Sequence, residues 1–128
     1  DILTYDVDIP EEIANCKIPK ITLQPLVENA LYHGIKNKRG KGRIVVTGRR
    51  EKDKCVIRVE DNGIGMTKER LNQVRGGLTT KIEDSNDFYG LYNVNERIRL
   101  KFGEEYGLSI DSVLQEGTCV EVWLPWES

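Results

Sequence analysis

Residues 2–9 alternate strictly, with Leu3, Tyr5, Val7 and Ile9 on one face and Thr4, Asp6 and Asp8 on the other, which predicts a half-buried strand. Pro10 ends it, and Glu11 to Ala14 fit one short helical turn. After Pro19 the period changes. Leu23, Leu26, Val27, Ala30, Leu31 and Ile35 recur at helical steps, with Thr22 as the expected N-cap and Pro25 in the tolerated first turn. Residues 43–50 and 54–60 then form two strands around a polar turn at Glu51 to Asp53, the pattern of an antiparallel hairpin. Thr67 is placed to cap a short helix ending at Val74. Arg75 to Asp87 holds two glycines, two threonines and few apolar side chains, so it reads as a long mobile loop, the usual material of a lid. Gly90 opens another helix, with Leu91, Val94, Ile98 and Phe102 on one face, and Gly103 stops it. Residues 107–113 and 118–125 make a second hairpin around Gln115-Glu116-Gly117.

Strand pairs joined by short links, separated by helices, predict an α+β fold over a doubly wound parallel sheet. A chain of 128 residues is expected to be one domain spanning 1–128. The formal net charge of -2 argues against a generic nucleic-acid binder. Lys36, Lys38, Arg39, Lys41 and Arg43 form a basic run, read either as a solvated loop or as one that meets phosphate or an acidic partner. Cys16, Cys55 and Cys119 are odd in number and lack metal-site spacing. Cys55 sits in a strand pattern and is expected as a buried thiol, which points to a reducing compartment. No stretch approaches the roughly 20 apolar residues of a membrane helix, and no signal peptide precedes the first strand. The abrupt opening in a strand suggests a piece of a longer protein.

Chemistry concentrates in three places. In Val59-Glu60-Asp61-Asn62-Gly63-Ile64-Gly65-Met66, Asp61 continues the inward positions of Cys55, Ile57 and Val59, so its carboxylate is aimed inward, a costly arrangement unless something meets it. The glycines after it permit positive φ and close approach, which suits a flat polar ligand such as a purine. Glu28-Asn29-Ala30-Leu31-Tyr32-His33 puts Asn29 and His33 one turn apart; an Asn oxygen beside a carboxylate suits Mg²⁺, and His33 is placed to contact phosphate. Phe88-Tyr89-Gly90-Leu91 sets a glycine at a helix start, where backbone N–H groups favour an anion. Each has a plain alternative: a local turn, a solvated helix face, an ordinary helix start. A Rossmann fingerprint is rejected because Lys68 stands at the third glycine's place, and no P-loop is present.

Taken in order, these segments resemble the nucleotide-binding domain of the GHKL superfamily, which includes gyrase, MutL and histidine kinases. Leu23-Gln24-Pro25-Leu26-Val27-Glu28-Asn29-Ala30 resembles its N box, Asp61-Asn62-Gly63-Ile64-Gly65-Met66 its first glycine box, and Tyr89-Gly90-Leu91-Tyr92-Asn93-Val94 its second. Gly117-Thr118 before the last strand also fits. Gln24 to Asn29, with Asn93-Val94-Asn95-Glu96-Arg97-Ile98, is most similar to two-component sensor kinases of the LytS/YesM type.

The resemblance implies a two-layer sandwich with a mixed, mostly antiparallel sheet and helices on one face. It implies binding of ATP with Mg²⁺ and donation of the γ-phosphate to a histidine on a separate domain. Asn29 matches the metal ligand, with Glu28 beside it as a water-mediated contact. Asp61 matches the acceptor for the adenine amine, and Gly63, Gly65 and Met66 belong to the box that shapes the base pocket. Tyr89, Gly90 and Leu91 match the point where a lid comprising residues 67–89 returns over the phosphates, and Thr118 lies near the pocket floor. Three departures accompany it. Tyr32 stands where many such kinases carry a basic residue, which shifts phosphate contact to His33 or Lys36. Phe88 replaces a glycine of the second box, and Pro25 replaces the general-base Glu of hydrolysing members, so intrinsic hydrolysis is expected to be slow. His33 lies inside the N box and is a poor phosphoacceptor. Expected partners are the phosphoacceptor domain of the same dimeric kinase and a response regulator. The fragment itself would touch neither nucleic acid nor membrane, as a cytoplasmic part of a membrane-anchored bacterial kinase. A nucleotide-gated interaction module without phosphotransfer is the alternative, and a gyrase-like hydrolase a third reading.

Overall fold

The computed structural model describes residues 3–8, 20–30, 42–80 and 89–126. In chain order they form β1 (Leu3–Asp8), α1 (Lys20–Asn29), β2 (Gly42–Glu51), β3 (Lys54–Asp61), α2 (Lys68–Thr80), α3 (Tyr89–Phe102), β4 (Gly107–Val113) and β5 (Gly117–Pro125). The sheet order is β1-β2-β3-β5-β4. Only β1–β2 is parallel, as a connection carrying a helix allows; β2–β3, β3–β5 and β4–β5 are antiparallel. The α+β fold expected from the element order is observed, with the mixed, mostly antiparallel sheet that the resemblance implied.

The helices share one face of the sheet. Ile44, Val46, Ile57, Val59, Val120 and Val122 from the strands form one buried cluster with Leu26, Leu71, Val74, Leu91 and Ile98 from the helices. Cys55 is completely buried in it, as its strand position predicted. The opposite face carries the other set of the alternation. There Val56 is also buried, because its cross-strand neighbours Arg49 and Trp123 flank it and the Arg49 guanidinium lies 5.7 Å from the Trp123 ring centre.

Two expectations need correction. The helix after Thr67 does not end at Val74: α2 runs to Thr80, through a stretch expected to be lid. Two interior glycines cost about 1 kcal/mol each relative to alanine. Burial of Leu71, Val74 and Leu78 contributes roughly 1.5–3 kcal/mol apiece, so packing outweighs propensity. Residues 68–80 are therefore a helix seated on the core through Leu71, Val74 and Leu78 rather than a loop; 81–88 lie outside the described residues. Thr67 does cap α2, its Oγ1 accepting from the Arg70 N–H at 3.1 Å. The second correction concerns α1, which begins at Lys20. Thr22 thus lies within the helix rather than at its cap, and Pro25 is an interior residue with no N–H to give Ile21. The short turn expected at Glu11 to Ala14 and the continuation of α1 towards Ile35 lie outside the described residues.

α3 ends as expected at Gly103, whose φ of 116° few other residues tolerate and whose N–H reaches the Arg99 carbonyl at 2.9 Å. Behind it, Asn95 ties three elements together. Its amide donates to the Leu78 carbonyl of α2 at 2.8 Å and accepts from the Leu108 N–H of β4 at 2.9 Å.

Candidate functional site

Asp61 is the last residue of β3, and the sheet register aligns Ile44, Asp61, Thr118 and Ser112 across four strands. Asp61 is 6% exposed and Thr118 7%, so a carboxylate and a hydroxyl are sunk side by side at the end of an otherwise apolar inner face. The inward carboxylate expected from the alternation is present. Its Oδ1 accepts the Gly63 N–H at 2.8 Å, a local turn that fixes the carboxylate plane. Thr118 Oγ1 lies 2.8 Å from Ser112 Oγ.

The glycine loop is held by the β4–β5 hairpin. Asn62 pins its start, accepting the Arg43 N–H on Oδ1 at 2.7 Å while its own N–H reaches the Arg43 carbonyl at 3.2 Å. Gly65 has φ 67°, and a Cβ there would fall 2.0 Å from the Val113 carbonyl oxygen. The Gln115 N–H donates to the Ile64 carbonyl. The second glycine of the box is therefore demanded by the fold itself, whatever it also does for a ligand. Met66 is half-buried against the core.

On the helical layer, Asn29 closes α1 with its side chain 9% exposed, while Glu28 is exposed. α1 meets the start of α3 where Pro25 faces Gly90, a Cβ on which would lie 3.7 Å from the Pro25 Cβ. Gly90 is exposed in the first turn of α3, and Leu91, 1% exposed, is a core residue. Tyr89 begins α3. The N box and the second glycine box are thus adjacent through Pro25 and Gly90, and the first glycine box is adjacent to the last strand through Asp61 and Thr118. His33, Lys36, Tyr32 and Phe88 lie outside the described residues. Among those described, no group of three or more His, Cys, Asp or Glu side chains is arranged to hold a metal.

Three residues of this region carried no assigned role in the sequence: Ser112, Asn95 and the close approach of Gly117. Ser112 had a usable signal. A turn centred on Gln115 sets residue 112 opposite 118, so the hairpin already implied a partner for Thr118.

The domain thus combines a buried carboxylate at a strand end, a glycine loop and a helix carrying Asn. The chain matches the family model of histidine kinase-, DNA gyrase B- and HSP90-like ATPases over residues 19–128, and it belongs to that family. It is 38% identical over 124 residues to the sensor histidine kinase YesM of Bacillus subtilis, covering 96% of this chain and 20% of that protein. It is 37% identical over 125 residues to the sensor histidine kinase YpdA of Escherichia coli, covering 98% of this chain and 20% of that protein. Against the sensor protein LytS of Staphylococcus saprophyticus the identity is 33% over 128 residues, the whole of this chain and 21% of LytS. The chain thus spans about a fifth of the length of these relatives. Among solved structures, the catalytic domain of histidine kinase ThkA superposes with a TM-score of 0.69 at 13% identity, covering 97% of this chain and 80% of that one. The histidine kinase domain of the Erythrobacter litoralis blue-light activated kinase gives 0.62 at 17%, covering 97% and 52%. The fold is that of histidine kinase catalytic domains.

Proposed function

We propose that this domain binds Mg-ATP with the adenine amine on Asp61 and presents the γ-phosphate to a histidine on a separate domain of a two-component sensor kinase. The observation that carries the reading is the buried Asp61 carboxylate beside Thr118, a pair of acceptor-capable groups at one end of the sheet. A charged acceptor in such surroundings binds an N–H donor strongly and disfavours a ligand that offers a carbonyl there.

The donor set suits Mg²⁺. Asn29 offers an amide oxygen, the donor type a small, hard cation takes while it keeps its waters and shares phosphate oxygens. When bound, the ion supplies charge neutralisation at the phosphates. Asn29 would hold it, with Glu28 reaching it through water, and Gly63, Gly65 and Met66 would line the base. His33 and Lys36 would meet the phosphates with the backbone of Tyr89, Gly90 and Leu91. Transfer of this kind depends on positioning and charge more than on covalent chemistry by the protein. Pro25, packed near Gly90, offers no carboxylate for activating water, which favours transfer over hydrolysis. The remaining length of the relatives leaves room for an acceptor domain and a membrane anchor, and the response regulator would be a separate partner.

The test is to mix the 128-residue chain, Mg-ATP labelled on the γ-phosphate and a phosphoacceptor domain from a YesM-like kinase. Label on the acceptor histidine, absent without that domain, is the expected result. ATP binding with no transfer to any acceptor would favour a nucleotide-gated interaction module. Rapid release of inorganic phosphate by the chain alone would favour a hydrolase.

A further inference from the structure

Ser112 sits on β4 directly across from Thr118, which is itself directly across from Asp61. Its hydroxyl makes two contacts: 2.9 Å to the Gly117 carbonyl oxygen and 2.8 Å to Thr118 Oγ1. A hydroxyl carries one proton, and a carbonyl oxygen only accepts. Both contacts are satisfied together when the Ser112 proton lies on Gly117. The contact with Thr118 is completed only if Thr118 donates to Ser112 Oγ. Thr118 then has no proton left and turns lone pairs alone towards the site.

From this wiring we infer that Ser112 is a positioning residue for base recognition: it fixes the Thr118 hydroxyl as an acceptor, so that Asp61 and Thr118 together select an exocyclic amine over a carbonyl at the same ring position. The inference rests on the proposed seating of the base at Asp61. Without Ser112 the Thr118 rotor is free, and its proton can point into the site to meet a carbonyl. The row would then discriminate less between an exocyclic amine and a carbonyl at the same ring position. Ser112 is half-buried and needs no direct contact with the ligand for this effect.

The probes are ATP and inosine triphosphate, which carries a carbonyl where ATP carries the amine, titrated into the 128-residue chain. Ser112→Ala is expected to weaken ATP about three- to tenfold, the worth of one neutral hydrogen bond. It should weaken inosine triphosphate less or not at all, so the preference between the two narrows. Ser112→Thr keeps the hydroxyl and should restore both values. Should Ser112→Ala fold poorly, Ser112→Cys, which fills the site but donates only weakly, takes its place with the same expectation. In a Thr118→Val background, Ser112→Ala should add no further loss. Equal weakening of both nucleotides, or wild-type binding by Ser112→Ala while Asp61→Asn abolishes ATP binding, overturns the role of Ser112 and leaves the base site standing. Unchanged ATP affinity in Asp61→Asn overturns the seating of the base, and this inference with it.

Discussion

Gly117 passes Asp61 so closely that a β-carbon on it would lie 2.0 Å from the Asp61 carbonyl oxygen, and its φ of 131° is one that side chains rarely adopt. The backbone that carries the buried carboxylate is thereby wedged against the backbone that carries Thr118. Gly117→Ala must push these strands apart or distort the turn. A loss of about 2–4 kcal/mol is expected, combining overpacking with backbone strain. Urea unfolding would measure it. ATP affinity should fall in the folded fraction too, because the same shift separates Asp61 from Thr118.

Gly76 and Gly77 are neighbours in α2 with opposite expectations. A Cβ on Gly76 meets nothing within 4 Å, so Gly76→Ala should raise stability by roughly 0.5–1 kcal/mol through helix propensity. A Cβ on Gly77 would lie 2.4 Å from Cζ of Tyr92 on α3, which must move aside. Gly77→Ala should therefore lose stability by up to about 2 kcal/mol net, the overpacking cost less the propensity gain. In a Tyr92→Ala background the same substitution should become stabilising. Paired thermal or urea melts of the four variants decide the matter, and a destabilising Gly76→Ala would contradict the account.

This pair also shows where the sequence was hard to read. The two glycines, two threonines and scattered charges after Val74 fit a loop by local propensity. What makes the segment helical is the seating of Leu78 in the core, the Arg75 side chain on the Ile110 carbonyl at 2.9 Å and the bare Gly77 under Tyr92, all long-range facts. The strands were legible because alternation is a local consequence of the pleat, and that alternation alone placed Asp61 inward. Pro25 and Thr22 misled about the start of α1, since both suit a first turn chemically while the helix begins two residues before Thr22. Asn95 stood in a recognised motif but gained its bracing role only once α2, α3 and β4 met.

Asn95→Ala should be among the more damaging polar substitutions. Its side chain is 5% exposed, and its loss leaves the Leu78 carbonyl and the Leu108 N–H without their partner. A cost of about 2–4 kcal/mol is expected, since each buried group left unpaired costs roughly 1–3 kcal/mol. Asn95→Asp should not rescue it: a carboxylate accepts from Leu108 but cannot donate to Leu78. Amide exchange should quicken at the end of α2 before the sheet loosens, a pattern that a general destabilisation would not give.

Asn29→Ala separates a metal role from a packing role. If the amide oxygen holds Mg²⁺, affinity for Mg-ATP should drop tenfold or more, the effect of one charge-assisted contact, while Mg-free ATP binds nearly as before. Calorimetry with and without the ion measures both. Equal losses would reassign Asn29 to the structure of α1.

The cysteines give a pH-dependent test. Burial pushes the Cys119 thiol up to about 11, against an ordinary value of 9.0, while the Arg58 guanidinium pulls it partly back. The fold therefore favours the protonated thiol. Its contribution is fully present below the unfolded thiol value and is lost as pH rises through about 11, because the unfolded chain releases this proton first. Between those limits stability should decline with pH, and Cys119→Ser should flatten that decline. Alkylation followed by peptide mapping gives a second measure. At pH 8 Cys119 should react well over tenfold more slowly than a free thiol, because about two pH units separate its thiolate from the unperturbed one. Cys55, fully buried, should react only on unfolding. Rapid labelling of Cys119 near neutrality would show that the outer face of the sheet is more open to water than its packing indicates.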